Sequence, residues 1–122
     1  MPRIHVLTAP GIITHIDSFD RQLIISRLQE LVATWARKSI ADVEVMWDEP
    51  QLSLNASSIH VDVYFSVAQT SNKFNPTRLE MELLSTYIIQ YLVDLKLEAV
   101  RVISAWIRPQ PEAVFEMYQV NS

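Results

Sequence analysis

The sequence predicts an α+β domain built from two successive β-α-β units, in the order β-α-β-β-α-β. Stretches of period-two hydrophobicity alternate with two long stretches of helical spacing. The tripeptide Ile4-His5-Val6 recurs as Ile59-His60-Val61, and each half closes on a strand that carries a tryptophan, Trp47 or Trp106. A three-residue match is short, but the elements around it have the same order and similar lengths, which points to a duplicated structural unit. The expected domain spans residues 1–122, with a first half at 1–48, a second at 58–107 and a docking tail at 108–122.

Each element has a local reason. Ile4 and Val6 alternate with Arg3 and His5, which is the pattern of a half-buried strand. Thr8-Ala9-Pro10-Gly11 is a turn, and Asp17 and Ser18 are helix-start residues. Ile24, Leu28, Leu31, Val32 and Trp35 then repeat at helical intervals, so a helix is expected from about Phe19 to Lys38 with a packed apolar stripe. Val43, Val45 and Trp47 alternate with Glu44, Met46 and Asp48 as a second strand that Pro50 ends. Ile59 to Val67 forms the clearest strand, with His60, Asp62, Tyr64 and Ser66 on its other face. Thr77 and Glu80 have capping-box spacing, and Met81, Leu84, Ile88, Tyr91, Leu92 and Leu95 carry a second helix to about Leu97. Ala99 to Ile107 is rich in β-branched residues and reads as a well-buried strand. The tail begins with Pro109 and Pro111 and continues through Val114, Phe115, Met117 and Tyr118, apolar enough to dock on its own domain or on a neighbour.

Composition narrows the function. The chain has 122 residues, of which 49% are hydrophobic and 20% charged, enough for one core without staples. It contains no cysteine, which excludes disulfides, thiolate metal sites and a cysteine nucleophile. Apolar runs are interrupted by charge well before the roughly 20 residues of a membrane span, and no basic-then-apolar leader is evident, so a cytoplasmic protein is expected. The net charge is -4 with scattered Lys and Arg, which is no footprint for nucleic acid. His5, His15 and His60 have no local ligand spacing, so no metal is expected, and no phosphate loop or serine elbow calls for a cofactor.

The residue with unusual chemistry is Pro2. Trimming of Met1 would leave a secondary amine at the head of the first strand. A free α-amine titrates near 7.7–8.0, and burial beside other cations disfavours its charged form. Such an amine is neutral near pH 7 and able to accept a proton. The plain alternative is that Pro2 only starts an edge strand, where its missing N–H costs nothing. Arg3 is placed to depress the amine's pKa, and Arg101 and Arg108 flank the last strand where an anion at a subunit boundary would find them. The plain alternatives are a solvated strand residue for Arg3 and ion pairs for the other two. Glu44 and Asp62 are candidates for an acid pair across adjacent strands. Phe115 and Tyr118 are candidates to close a neighbour's pocket.

A doubled β-α-β unit that begins Met-Pro resembles the tautomerase superfamily, particularly its longer members of the macrophage migration inhibitory factor kind. The likeness covers almost the whole chain. Lys38, just after the first helix, stands where that kind places a lysine beside the N-terminal proline. Asp48-Glu49-Pro50-Gln51-Leu52 followed by Asn55-Ala56-Ser57-Ser58 is similar to the loop between the family's second and third strands. Arg101 to Trp106 matches the strand that lines the pocket. A group of uncharacterised bacterial proteins of this fold, also beginning Met-Pro, looks as close. The resemblance implies a homotrimer with sites at subunit boundaries, Pro2 as general base, and Lys38 either holding a substrate carboxylate or stabilising the neutral form of the amine. Arg3, Arg101 and Trp106 complete the expected substrate contacts. It implies no cofactor and a small carboxylate-bearing substrate. The chain departs from the family's pattern at Ile103 and Ala105, where an aromatic residue and an asparagine are usual, and at Val67-Ala68-Gln69-Thr70, where a glycine is usual.

Three functional readings follow. The first is an isomerase that moves a proton in a small keto or enol acid through Pro2. The second is a non-catalytic ligand-binding or assembly protein of the same fold, and the third is a ferredoxin-like module, which shares the element order.

Overall fold

The computed structural model describes residues 2–9, 11–12, 16–49, 58–67, 76–98 and 100–111. Its elements are β1 (Arg3–Thr8), α1 (Ser18–Ala36), a short 3-10 helix (Ile40–Asp42), β2 (Glu44–Asp48), β3 (Ser58–Val67), α2 (Arg78–Asp94) and β4 (Val102–Pro111). The four strands form one sheet in the order β2-β1-β3-β4. β1 pairs in parallel with β2, β3 pairs in parallel with β4, and the two halves join through antiparallel β1 and β3. Each half therefore keeps its own two strands side by side. A ferredoxin-like module has a split β-α-β arrangement, so the observed order excludes that reading.

The pleat explains which residues are buried. Ile4 and Val6 of β1 and Ile59, Val61 and Val63 of β3 are fully buried on one face. Against them lie Ile24, Leu28 and Val32 of α1 and Leu84, Ile88 and Leu92 of α2. The recurrent Ile-His-Val triplets thus supply equivalent core positions at the centre of the sheet. Trp35 of α1 meets Phe65 edge to face at 5.2 Å, and its indole N–H donates to the Glu80 carbonyl at 3.0 Å. One side chain thereby ties α1 to α2 and to β3.

Local chemistry sets the helix ends. The Asp17 carboxylate accepts the Asp20 N–H at 2.9 Å, and Thr77 with Glu80 makes both bonds of the expected capping box. Both helices end sooner than their apolar periodicity suggests. After α1, Arg37 takes the left-handed conformation with φ 57° and its N–H turns back to the Ala33 and Thr34 carbonyls. After α2, Lys96 does the same with φ 51°. Periodicity ran two or three residues past each end because it reports a continuing apolar stripe, whereas the backbone turns as soon as a C-cap closes.

β4 differs most from expectation. It starts at Val102 and runs on through Arg108, Pro109 and Pro111, residues the sequence reading gave to the tail. Proline is tolerated here because β4 is an edge strand, where a missing N–H faces solvent. Nor is the strand buried on both faces, since the helices cover only one. Val102 and Trp106 point to the uncovered face and are 44% and 57% exposed. The tail beyond residue 111 and the loops at 50–57 and 68–75 lie outside the described residues. No helix among the described residues is long and apolar enough to cross a membrane.

Truncating Ile88 to alanine is expected to lower the unfolding free energy by about 2–5 kcal/mol, and Thr77→Ala by about 1 kcal/mol. Urea titrations followed by circular dichroism give both values. Equal losses would contradict the assignment of Ile88 to the core and Thr77 to a surface cap.

Candidate active site

Pro2 is buried at the head of β1, and its carbonyl accepts the Glu44 N–H at 3.2 Å. Extending the strand registers by one residue brings it level with Val43 and Phe65, which are both buried. The next level of the sheet is charged and aromatic. Arg3 lies opposite Glu44 on one side and Tyr64 on the other, and Tyr64 lies opposite Arg108. These side chains alternate away from the core, onto the face without helices. The Arg3 guanidinium sits over the Tyr64 ring, 5.3 Å from its centre, a cation–π contact that holds the arginine beside Pro2's strand end.

Lys38 reaches the same end of the sheet by another route. Its backbone N–H closes α1 on the Ala33 carbonyl at 2.9 Å, and the short 3-10 helix then leads into β2, whose first residue bonds to Pro2. The Lys38 side chain is exposed. Pro2, Arg3 and Lys38 are thus gathered at one end by local rules: a strand start, a register pairing and a helix C-cap. Arg101 is not gathered there. It precedes Val102, which pairs with Ser58, and that end of β3 is about 20 Å from Tyr64 at roughly 3.3 Å per residue. Within one chain, Arg101 and Pro2 occupy opposite ends of the sheet. Trp106 stands midway, opposite Asp62.

Glu44 and Asp62 are not on adjacent strands, since β1 lies between β2 and β3. Asp62 has other partners. Its carboxylate is 7% exposed and one oxygen, Oδ1, accepts both the His60 Nε2–H at 2.8 Å and the Arg108 Nε–H at 2.9 Å. A carboxylate only accepts, so His60 carries a proton on Nε2, while its Nδ1 lies 2.6 Å from the Ser104 hydroxyl in a second hydrogen bond. The Arg108 guanidinium packs over Trp106, 4.5 Å from the ring centre. His5 mirrors His60 in the first half by bonding Asp48 at 2.7 Å. Both histidines therefore serve carboxylates, and among the described residues no group of three potential ligands is placed to hold a metal.

Sequence reasoning missed Tyr64 as Arg3's partner and Asp62 as the centre of a polar relay. The signal was present: His60, Asp62 and Tyr64 alternate along β3, and Ser104, Trp106 and Arg108 alternate along β4. Only the parallel register, Asp62 opposite Trp106, shows that the two series share a face.

No family model matches the sequence, and no curated protein matches it. Solved structures do match. A member of the cis-3-chloroacrylic acid dehalogenase family superposes with a TM-score of 0.63 at 19% identity, covering 89% of this chain and 75% of that one. Pt0534 inactivated by 2-oxo-3-pentynoate gives 0.62 at 13% identity, with 91% and 87% covered. A fused 4-OT symmetric trimer gives 0.60 at 12% identity, with 89% and 85% covered. The chain has the fold of these structures.

The Arg108 side chain is 39% exposed, so water screens part of its pairing with Asp62, which also keeps His60 as a partner. Arg108→Met is therefore expected to destabilise the chain by about 1–2 kcal/mol, against less than about 1 kcal/mol for Arg3→Met. Thermal unfolding of the two variants side by side tests this, and similar losses would remove Asp62 from its place as the centre of the relay.

Proposed function

We propose that the chain is a cofactor-independent cytoplasmic isomerase that moves a proton in a small keto or enol acid, with the Pro2 amine as general base. The reading is carried by the placement of Pro2, buried at the start of a strand while Arg3 and Lys38 arrive at the same end of the sheet. Burial and neighbouring cations both favour the neutral amine, whose lone pair takes a proton from the carbon beside the carbonyl. The C–H electron pair becomes the C=C bond of the enol, charge gathers on oxygen, and the proton returns at a second position. Lys38 would hold the carboxylate and Arg3 would add positive potential. Trp106 and Arg101 enter only from a neighbouring copy, in keeping with a site at a subunit boundary.

The trimer follows from the same reading. The face without helices exposes Met46, Val102 and Trp106, and a fused 4-OT neighbour is a symmetric trimer. Packing three such faces together would remove these side chains from water. Light scattering should give a mass near three times 14.1 kDa, and Trp106→Asp should reduce it toward the single-chain value. A monomeric parent protein would end this assembly model.

A second reading, a ligand-binding or assembly protein without catalysis, is favoured by β4. Its core-side positions Ile103, Ala105 and Ile107 are all apolar and pack against the helices, so this strand brings no polar group to that side. Exposure to 2-oxo-3-pentynoate at neutral pH separates the two readings. The enzyme reading requires intact mass without Met1 and a single adduct mapped to Pro2, formed about three- to tenfold more slowly by Lys38→Ala. Retained Met1, or a trimmed chain without adduct, leaves the binding reading standing.

A further inference from the structure

The helix side of the molecule carries a cavity of about 300 Å³ between α1, α2 and the start of the link to β4. It lies toward the β1–α1 end of the fold, away from Pro2, and on the layer opposite the face assigned to assembly. Its apolar wall is made by Leu23, Ile24, Leu95 and Leu97, of which Ile24 is buried and Leu23 is half exposed. Tyr91 stands among Asp20, Arg27 and Glu30, and burial pushes its hydroxyl's pKa up while Arg27 opposes that and the two carboxylates add to it. All three charged groups are close enough to act on one phenol.

The charges are not balanced. Arg27 is held by Glu30 at 2.8 Å, whereas the Asp20 carboxylate has no ion-pair partner among the described residues. Asp17, not Asp20, caps α1 through its side chain, so Asp20 is not engaged as the cap. The wall therefore combines aliphatic groups, a phenol ring and an excess of one negative charge. Ligand sites pair an apolar lining with a few polar groups that fix orientation, and an aromatic face beside a carboxylate attracts an organic cation.

We propose that this cavity binds a small arylalkylammonium ion, with its ring against Leu23, Ile24 and Leu97 and its ammonium between Asp20 and Tyr91. The site is independent of the proline chemistry. A neutral analogue loses the contact with Asp20, and a carboxylate analogue meets Asp20 with Arg27 already occupied.

The test uses the full chain labelled with nitrogen-15 and titrated with 2-phenylethylamine, 2-phenylethanol and phenylacetate. Saturable amide shifts confined to Asp20, Leu23, Ser26, Tyr91 and their neighbours are expected. The amine should bind about fivefold more tightly than the alcohol, as one partly exposed ion pair provides, with phenylacetate weakest. Asp20→Asn should bring amine and alcohol to parity, and Ser26→Trp at the exposed rim should abolish both while leaving the melting curve intact. Equal binding of amine and alcohol to the parent chain overturns the proposal. So do shifts centred elsewhere, no saturable shift, or a preference for the amine that survives Asp20→Asn.

Discussion

The antiparallel pairing of β1 with β3 is the constraint from which the rest of the molecule follows. It joins the two halves and sets Ile4 beside Val63, Val6 beside Val61 and Thr8 beside Ile59, all of them buried. Because side chains alternate along a strand, fixing these pairs in the core fixes every other residue of both strands on the opposite face. A one-residue slip of β1 would drive Arg3 and His5 toward the helices and expose Ile4 and Val6. A slip of β3 would drive His60 and Asp62 inward and expose Ile59, Val61 and Val63. The register is thus held by hydrophobic burial on one face and charge on the other.

That division assigns the two faces different work. The helix face holds the molecule together through aliphatic packing and the Trp35 bridge. The other face concentrates chemistry: the Arg3–Tyr64 contact, the His5–Asp48 bond, and the relay from Ser104 through His60 and Asp62 to Arg108. The relay spans β3 and β4 and is itself a cross-strand clamp, because Asp62 binds one partner on its own strand and one on the next. A carboxylate so little exposed gains from geometry that satisfies it twice. It also keeps Arg108 folded back over Trp106, away from the strand end where Pro2 lies.

Much of this was legible in the residues. The helices declared themselves through Leu28, Val32, Leu84 and Ile88 at helical spacing, and Thr77 with Glu80 marked a helix start to the residue. The two-unit organisation was visible in the repeated Ile-His-Val. What was not legible depended on partners far away in the chain. Whether β4 is central or at an edge is decided by sheet order, which no local pattern encodes, and its apolar composition suggested more cover than it receives. The same holds for the site. Pro2 and Lys38 were singled out from sequence and do share one end of the sheet, but Arg101 is separated from them by the length of β3, and its distance follows only from the parallel register of β4.

The two prolines near the end of β4 bear on how the molecule behaves when crowded. An edge strand offers a ladder of unpaired donors and acceptors on which another chain can grow. Pro109 and Pro111 remove two of the donors at one end, and Pro109 follows directly on the Arg108 that is clamped to Asp62. A strand adding to this edge would have to register over residues 102–108, where the exposed Trp106 and the bulk of Arg108 stand on one face. The fold thus limits open-ended stacking of sheets by the covalent chemistry of its last strand.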